Sequence, residues 1–181
     1  MGKGTLIRCL RERVPGLALS VSATTRSPRP GEVDGRDYHF LTQEEFERRV
    51  QEGEFLEHAS YAGNRYGTLR SELARAEEPG THGLVLEIEV QGARQVRQQV
   101  PEALGVLILP PSEEDLRSRL EGRGSDSAAQ IESRLKVAQE ELGAREEFRH
   151  RVVNDEIDRA AGELEELIAT MWGRPEEEPS P

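Results

Sequence analysis

Residues 26–38 set two arginines, Arg26 and Arg29, and a tyrosine, Tyr38, along a stretch stiffened by Pro28 and Pro30 and turned by Gly31 and Gly35. Two guanidinium forks and a phenol converging on one spot would hold a phosphate dianion through charge-assisted hydrogen bonds. Taken alone, the same arginines also fit a solvated loop. A second basic feature opens the chain. Lys3, one of two lysines among 24 Lys and Arg residues, stands in Met-Gly-Lys-Gly-Thr-Leu. That run has the form of the second half of a phosphate-binding loop, in which the lysine reaches phosphates as a compact point charge. Glu87 and Glu89 lie two apart in the apolar run GLVLEIEV. On a strand both point to one face, and carboxylates in such a run need a partner.

These residues are positioned by short elements that alternate in type. The spacing of Leu6, Ile7, Leu10 and Val14 predicts a helix over 5–14, ended by Pro15-Gly16. Residues 17–23 read as a strand, and a strand begins at Tyr38, Phe40 and Leu41. Thr42 with Glu45 forms a capping box for a helix over 43–52. Two short strands joined by a turn follow at 55–61 and 65–68. The runs 83–90 and 105–109 read as buried parallel strands. Ser112 is placed to cap a helix, with Asp115 at the box position. Residues 122–128 break the pattern, and a long helix is expected from about 128 to 147. A strand over 151–155 and a final helix capped by Asp158 complete the chain, before a polar, proline-rich tail read as disordered. The alternation defines an α/β fold with a mainly parallel sheet flanked by helices. The block 27–68 departs from it and reads as a small mixed insertion.

The chain of 181 residues fits one domain. Its formal charge of −11 argues against general nucleic-acid or membrane-surface binding, which needs an excess of basic charge. The single cysteine, Cys9, allows no internal disulfide and fits a reducing compartment. No apolar run reaches membrane-spanning length. A cytoplasmic, soluble protein is expected.

Residues 20–40, SVSATTRSPRPGEVDGRDYHF, resemble the nucleoside-monophosphate segment of guanylate kinases, whose pattern is S-x-S-x-TTR-x-PRxGE-x-xGxDYxF. The resemblance continues through FLEHASYAGNRYGT, LVLEIEVQGA, ILPPS, RLEGRG and VVND, in family order to about residue 170. It implies the P-loop nucleoside-monophosphate kinase fold: a core of 1–26, 69–111 and 135–172, a GMP-binding insertion of 27–68, a helical lid of 112–134 and a tail of 173–181. The implied reaction transfers the γ-phosphoryl group of ATP to GMP, giving ADP and GDP, with Mg²⁺ as cofactor.

The resemblance also implies roles residue by residue. Arg26, Arg29, Tyr38 and Tyr66 match groups that bind the GMP phosphate. Ser22, Glu57 and Thr68 match groups that read guanine. One carboxylate can accept both the N1–H and N2–H of guanine, whereas adenine presents a lone pair at N1. Outside that context Glu57 is an ordinary strand-edge carboxylate. Lys3 matches the lysine reaching the β and γ phosphates of ATP. The N–H groups of Gly2, Lys3 and Gly4 open the first helix, where anions bind, and Thr5 stands where an α-phosphate is bonded. Gly4 occupies the place of a metal-ligating Ser or Thr, so Mg²⁺ is expected without confident protein ligands. Glu87 and Glu89 match an acidic pair near the substrate amine and the metal waters, with Glu89 where Asp is usual. Arg119 and Arg123 resemble lid arginines that clamp ATP, and Arg134 one that bridges both substrates; a salt-bridged surface helix is the competing reading for Arg119. Asn154 matches a residue near the nucleotide and equally suits a turn cap. Catalysis would fall to Lys3, Arg26, Arg123 and Arg134.

A full phosphate-binding loop is strand, then G-x-x-x-x-G-K, and the pattern here starts just before its second glycine. The chain as written is therefore expected to bind ATP poorly and to be less stable than a version carrying that strand. The rival reading is a non-catalytic guanylate-kinase-like module that binds phosphorylated peptides, or an inactive copy.

Overall fold

The computed structural model describes residues 3–61, 63–121, 135, 139 and 142–173. Helix α1 (Lys3–Arg13) buries Leu6 and Leu10. The chain then turns at Gly16, whose φ is +81° and whose missing side chain leaves room for the Gly80 carbonyl, 2.7 Å from where a Cβ would stand. Strand β1 (Leu17–Leu19) follows, and then β2 (Ala23–Thr24), β3 (His39–Phe40), helix α2 (Gln43–Gln51), β4 (Phe55–Tyr61) and β5 (Asn64–Leu69). A 3-10 stretch (Arg70–Glu77) leads to β6 (Gly83–Val85), α3 (Val90–Gln99), β7 (Val106–Leu109), α4 (Glu113–Glu121), β8 (His150–Val153) and α5 (Ile157–Trp172).

The strands among the described residues make three sheets. β1 pairs parallel with β6, and β7 pairs parallel with β8. The third has the order β3-β2-β5-β4, with β4 and β5 antiparallel. It joins β3, β4 and β5 of the block 27–68 to β2, which precedes that block. Its underside is a core of Ala23, Phe46, Phe55 and Leu69, in which the Phe46 and Phe55 rings stack at 4.4 Å. Thr42 caps α2 by accepting the Glu45 N–H at 3.1 Å, as the capping box predicts.

The main core lies under α1 and α5. Leu6, Leu10, Val14, Leu17, Val152, Ala160, Ala161, Leu164 and Ile168 form one buried cluster. Apolar residues at helical spacing on both helices produce it, because burying that stripe is what makes short helices stable. β6 and β7 do not pair with each other. A cavity of about 700 Å³ lies between them, walled by Leu84, Leu86, Leu107 and Ile108, with Lys3 at one end and Trp172 at the other.

Three sequence expectations change. The strand expected over 17–23 divides. Ser20 still donates to the Val85 carbonyl at 3.0 Å, but the Val21 N–H donates to the Glu72 carboxylate at 2.7 Å, and Ala23–Thr24 joins the second sheet. The strand expected over 83–90 ends at Val85, and α3, which the apolar run concealed, starts at Val90 with Glu89 as its N-cap. The last helix has Glu156, not Asp158, at its N-cap position; Asp158 instead takes an ion pair from Arg13 at 2.7 Å. Ser112 does cap α4, accepting the Asp115 N–H at 3.0 Å. The long helix expected over 128–147 lies largely outside the described residues, as does residues 174–181 of the tail.

Candidate functional site

The insertion sheet and α3 enclose Glu57. Glu57 and Thr68 face each other across β4 and β5, and both are buried, with 4% and 0% of their surface exposed. Thr68 Oγ1 donates to Glu57 Oε1 at 2.7 Å. Burial pushes the Glu57 carboxyl up from its ordinary value; the Thr68 hydroxyl opposes this and the nearby Glu89 charge adds to it. The Glu57 carboxylate offers about four acceptor sites, and Thr68 fills only part of them. It is poised for a ligand that brings N–H donors.

α3 holds this carboxylate from the other side. Gln95 bridges β4 twice, donating to the His58 carbonyl at 2.7 Å and accepting the His58 N–H at 3.1 Å. Gln99 donates to the Leu56 carbonyl at 2.7 Å. Gly92, one turn earlier on the same face, lies against Glu57. Glu89 accepts the Gly92 N–H at 2.6 Å. One of its oxygens thus serves the helix start.

The aromatic and basic groups gather at the edge of the same sheet. The Arg26 guanidinium lies 5.1 Å from the Tyr38 ring centre, and the Tyr38 and Tyr66 rings meet edge to face at 6.3 Å. Burial raises the Tyr38 phenol above its ordinary pKa, with contributions from Tyr66 and Glu87. Arg26 is held by a residue that sequence reasoning did not single out. Both its terminal nitrogens bond Glu32, at 3.0 and 2.8 Å. The Arg29 N–H also donates to Glu32, at 2.6 Å. Arg26 first, and then the Arg29 N–H, hold the Glu32 carboxyl below its usual range. The Arg29 side chain itself is exposed, and Ser22 is half-buried, with its carbonyl accepting the His39 N–H at 2.9 Å.

Glu87 sits at the start of α1. Its Oε2 is 3.8 Å from where a Cβ on Gly4 would stand. It remains open to solvent within the cleft, yet the protein around it raises its pKa, an effect that the Lys3 charge partly offsets. Thr5 is exposed in the first turn of the same helix. Asn154 is buried at the end of β8, its N–H donating to the Leu109 carbonyl at 2.8 Å. Gly2, Arg123 and Arg134 lie outside the described residues, as does the Arg119 side chain on α4.

Glu72 ties the insertion to the core and was also missed from sequence. Its buried carboxylate accepts from Val21 N–H and meets His39 Nε2 at 2.9 Å and Arg75 at 2.7 Å. Burial alone would raise its pKa; the Val21 N–H, His39 and Arg75 outweigh that and lower it. No local pattern announces such a residue, because its main partner is 51 positions away.

A parallel α/β core whose first helix opens beside a lysine and a carboxylate, with a side sheet carrying arginines and tyrosines, is the architecture of the P-loop nucleoside-monophosphate kinases. The family model described as guanylate kinase matches residues 1–171. The chain belongs to the guanylate kinase family. It is 52% identical to a guanylate kinase of Rubrobacter xylanophilus over 167 residues, covering 92% of this chain and 87% of that protein. It is 54% identical to one from Synechocystis over 168 residues, with 93% and 87% covered. The crystal structure of guanylate kinase from Anaplasma phagocytophilum superposes with a TM-score of 0.76 at 32% identity, covering 94% of this chain and 82% of that one. Among the described residues, no helix is long and apolar enough to cross a membrane.

Proposed function

We propose that this protein transfers the γ-phosphoryl group of ATP to GMP, yielding ADP and GDP. The observation that carries the choice of base is the buried Glu57 carboxylate, fixed by Thr68 and backed by α3. Guanine supplies the adjacent N1–H and N2–H that such a carboxylate accepts, whereas adenine would set a lone pair against it. The Thr68 hydroxyl proton is committed to Glu57, which leaves Ser22 to donate to O6. Tyr38, Tyr66, Arg26 and Arg29 take the phosphate of GMP, with Arg26 pre-oriented by Glu32.

On the ATP side, Lys3, the start of α1 and Thr5 face the phosphates, and Gly2 and Gly4 add backbone N–H donors. Asn154 and Arg119 border the nucleotide, and Arg123 and Arg134 supply positive charge to the oxygens of the transferring group. Transfer between two held oxygens needs positioning and charge, with no covalent step on the protein. Among the described residues no three His, Cys, Asp or Glu side chains gather to hold a metal ion. Mg²⁺ would arrive on ATP, since it keeps most of its waters and is held chiefly by substrate phosphates. Glu87, with Glu89 beside it, is the carboxylate placed to hold those waters. Bound there, Mg²⁺ would neutralise charge on the phosphates. The reaction belongs to purine nucleotide metabolism in the cytoplasm.

The test is ADP formation from ATP and Mg²⁺ with GMP, AMP or UMP added. Turnover with GMP alone supports the reading. Turnover with AMP or UMP at a comparable rate refutes the role of Glu57. A chain that turns over none of them but is stabilised by a phosphoserine peptide would be the non-catalytic module.

A further inference from the structure

We propose that Gly92 is a specificity-determining positioning residue, and that the empty space above its Cα is what fixes Glu57 for guanine. The inference rests on the reading of Glu57 given above and extends it to a residue without a side chain.

A Cβ placed on Gly92 would lie 2.3 Å from Glu57 Oε2, 3.0 Å from its Cδ and 3.4 Å from its Cγ. The first distance is far inside any allowed contact. Glu57 has little freedom to retreat. Its other oxygen is bonded to Thr68 at 2.7 Å, and the residue is 4% exposed. α3 has little freedom either. Residues 92, 95 and 99 share one helix face, and Gln95 and Gln99 are bonded to the backbone of His58 and Leu56 on β4. The Gly92 N–H is tied in turn to Glu89 Oε1 at 2.6 Å.

The backbone does not require glycine here. Gly92 is not among the glycines with positive φ, and it lies inside a helix, where alanine is the better helix former. Glycine at this position therefore weakens α3 locally, and the space it leaves is taken by the end of the Glu57 side chain, with Oε2 nearest. That oxygen is the one not engaged by Thr68. A side chain at 92 would turn the carboxylate away from the base while leaving the phosphate-binding arginines and the ATP side untouched.

The experiment compares the wild type, G92A, E57A and the double variant by thermal shift with GMP and by steady-state kinetics. In G92A the KM for GMP should rise about tenfold or more and the KM for ATP should stay constant. The preference for GMP over IMP, which lacks the N2 amino group, should shrink. In the E57A background G92A should have no further effect on GMP, because the two act through one group. The double variant should melt no lower than E57A, since alanine favours the helix. An unchanged KM for GMP in G92A overturns the inference, as does an equal penalty in both backgrounds. If GMP fails to stabilise the wild type, the functional reading falls and the inference falls with it. If GMP stabilises wild type and G92A alike, the inference alone falls.

Discussion

Thr68 and Glu57 face each other across two antiparallel strands, and the threonine hydroxyl donates to the carboxylate at 2.7 Å with both residues buried. The pair leaves a charge under-satisfied inside the protein. A buried carboxylate needs more than one neutral donor to match its loss of water. The free protein therefore carries a local cost that a guanine base would offset.

Glu57→Gln separates this cost from its use. The variant should be more stable than the wild type at neutral pH without nucleotide, because the buried charge is gone. Its KM for GMP should rise about 100-fold, the worth of a lost charge-assisted pair. Thermal melts and initial rates read the two effects independently.

The pH dependence follows from the raised Glu57 and Glu87 values. Between the ordinary glutamate value of 4.5 and the raised native ones, the folded protein binds more protons than the unfolded chain. The contribution of these groups to stability is then present below 4.5 and falls as pH rises through that window. On the proposed role of Glu57, GMP binding favours its ionised form and should release a proton in the same window, so the stabilisation given by GMP should grow with pH. Melting temperatures from about pH 4 to 8, with and without GMP, check both slopes. Glu57→Gln should flatten the share due to that residue.

Arg26→Ala tests the phosphate end. Glu32 now holds the guanidinium through two hydrogen bonds, which orders it before any ligand arrives. Removing it should raise the KM for GMP about 100-fold, by losing a charge-assisted contact, and leave the KM for ATP unchanged. Titration with guanosine, which has no phosphate, should show little difference between variant and wild type.

Glu72→Ala should destabilise the fold by about 3 kcal/mol. It strands the Val21 N–H and removes the partner of His39 and Arg75 at the joint between core and insertion. Chemical denaturation measures this, with Arg75→Ala as a milder control at a more exposed ion pair.

The groups with overt chemistry were legible because they lie close together in the chain. Arg26, Arg29 and Tyr38 share one loop, and their order carries the family pattern. The capping boxes at Thr42 and Ser112 were legible for the same reason, since each is closed within one turn. What escaped was set by distance along the chain. Glu72 meets Val21, Gln95 meets His58, and Gly92 meets Glu57 only after the sheets and α3 are assembled. Helix α3 escaped because LVLEIEV reads as a continuous strand, while the strand stops at Val85 and Glu89 caps a helix. The side chains of Arg119, Arg123 and Arg134 fall outside the described residues, and their roles rest on the family pattern.

The cleft between β6 and β7 has a consequence for amide hydrogen exchange. Among the described residues no ladder of backbone hydrogen bonds joins the β1–β6 pair to the β7–β8 pair; the shared packing of α1, α5 and Val152 joins them instead. Such a molecule opens in parts, each with its own free energy. Amides of Leu84 and Ile108, which point away from their paired strands, should exchange faster than those of Val85 and Leu109, which face them. Solvent should thus enter between the two strand pairs, where the core of an α/β protein is ordinarily slowest to exchange.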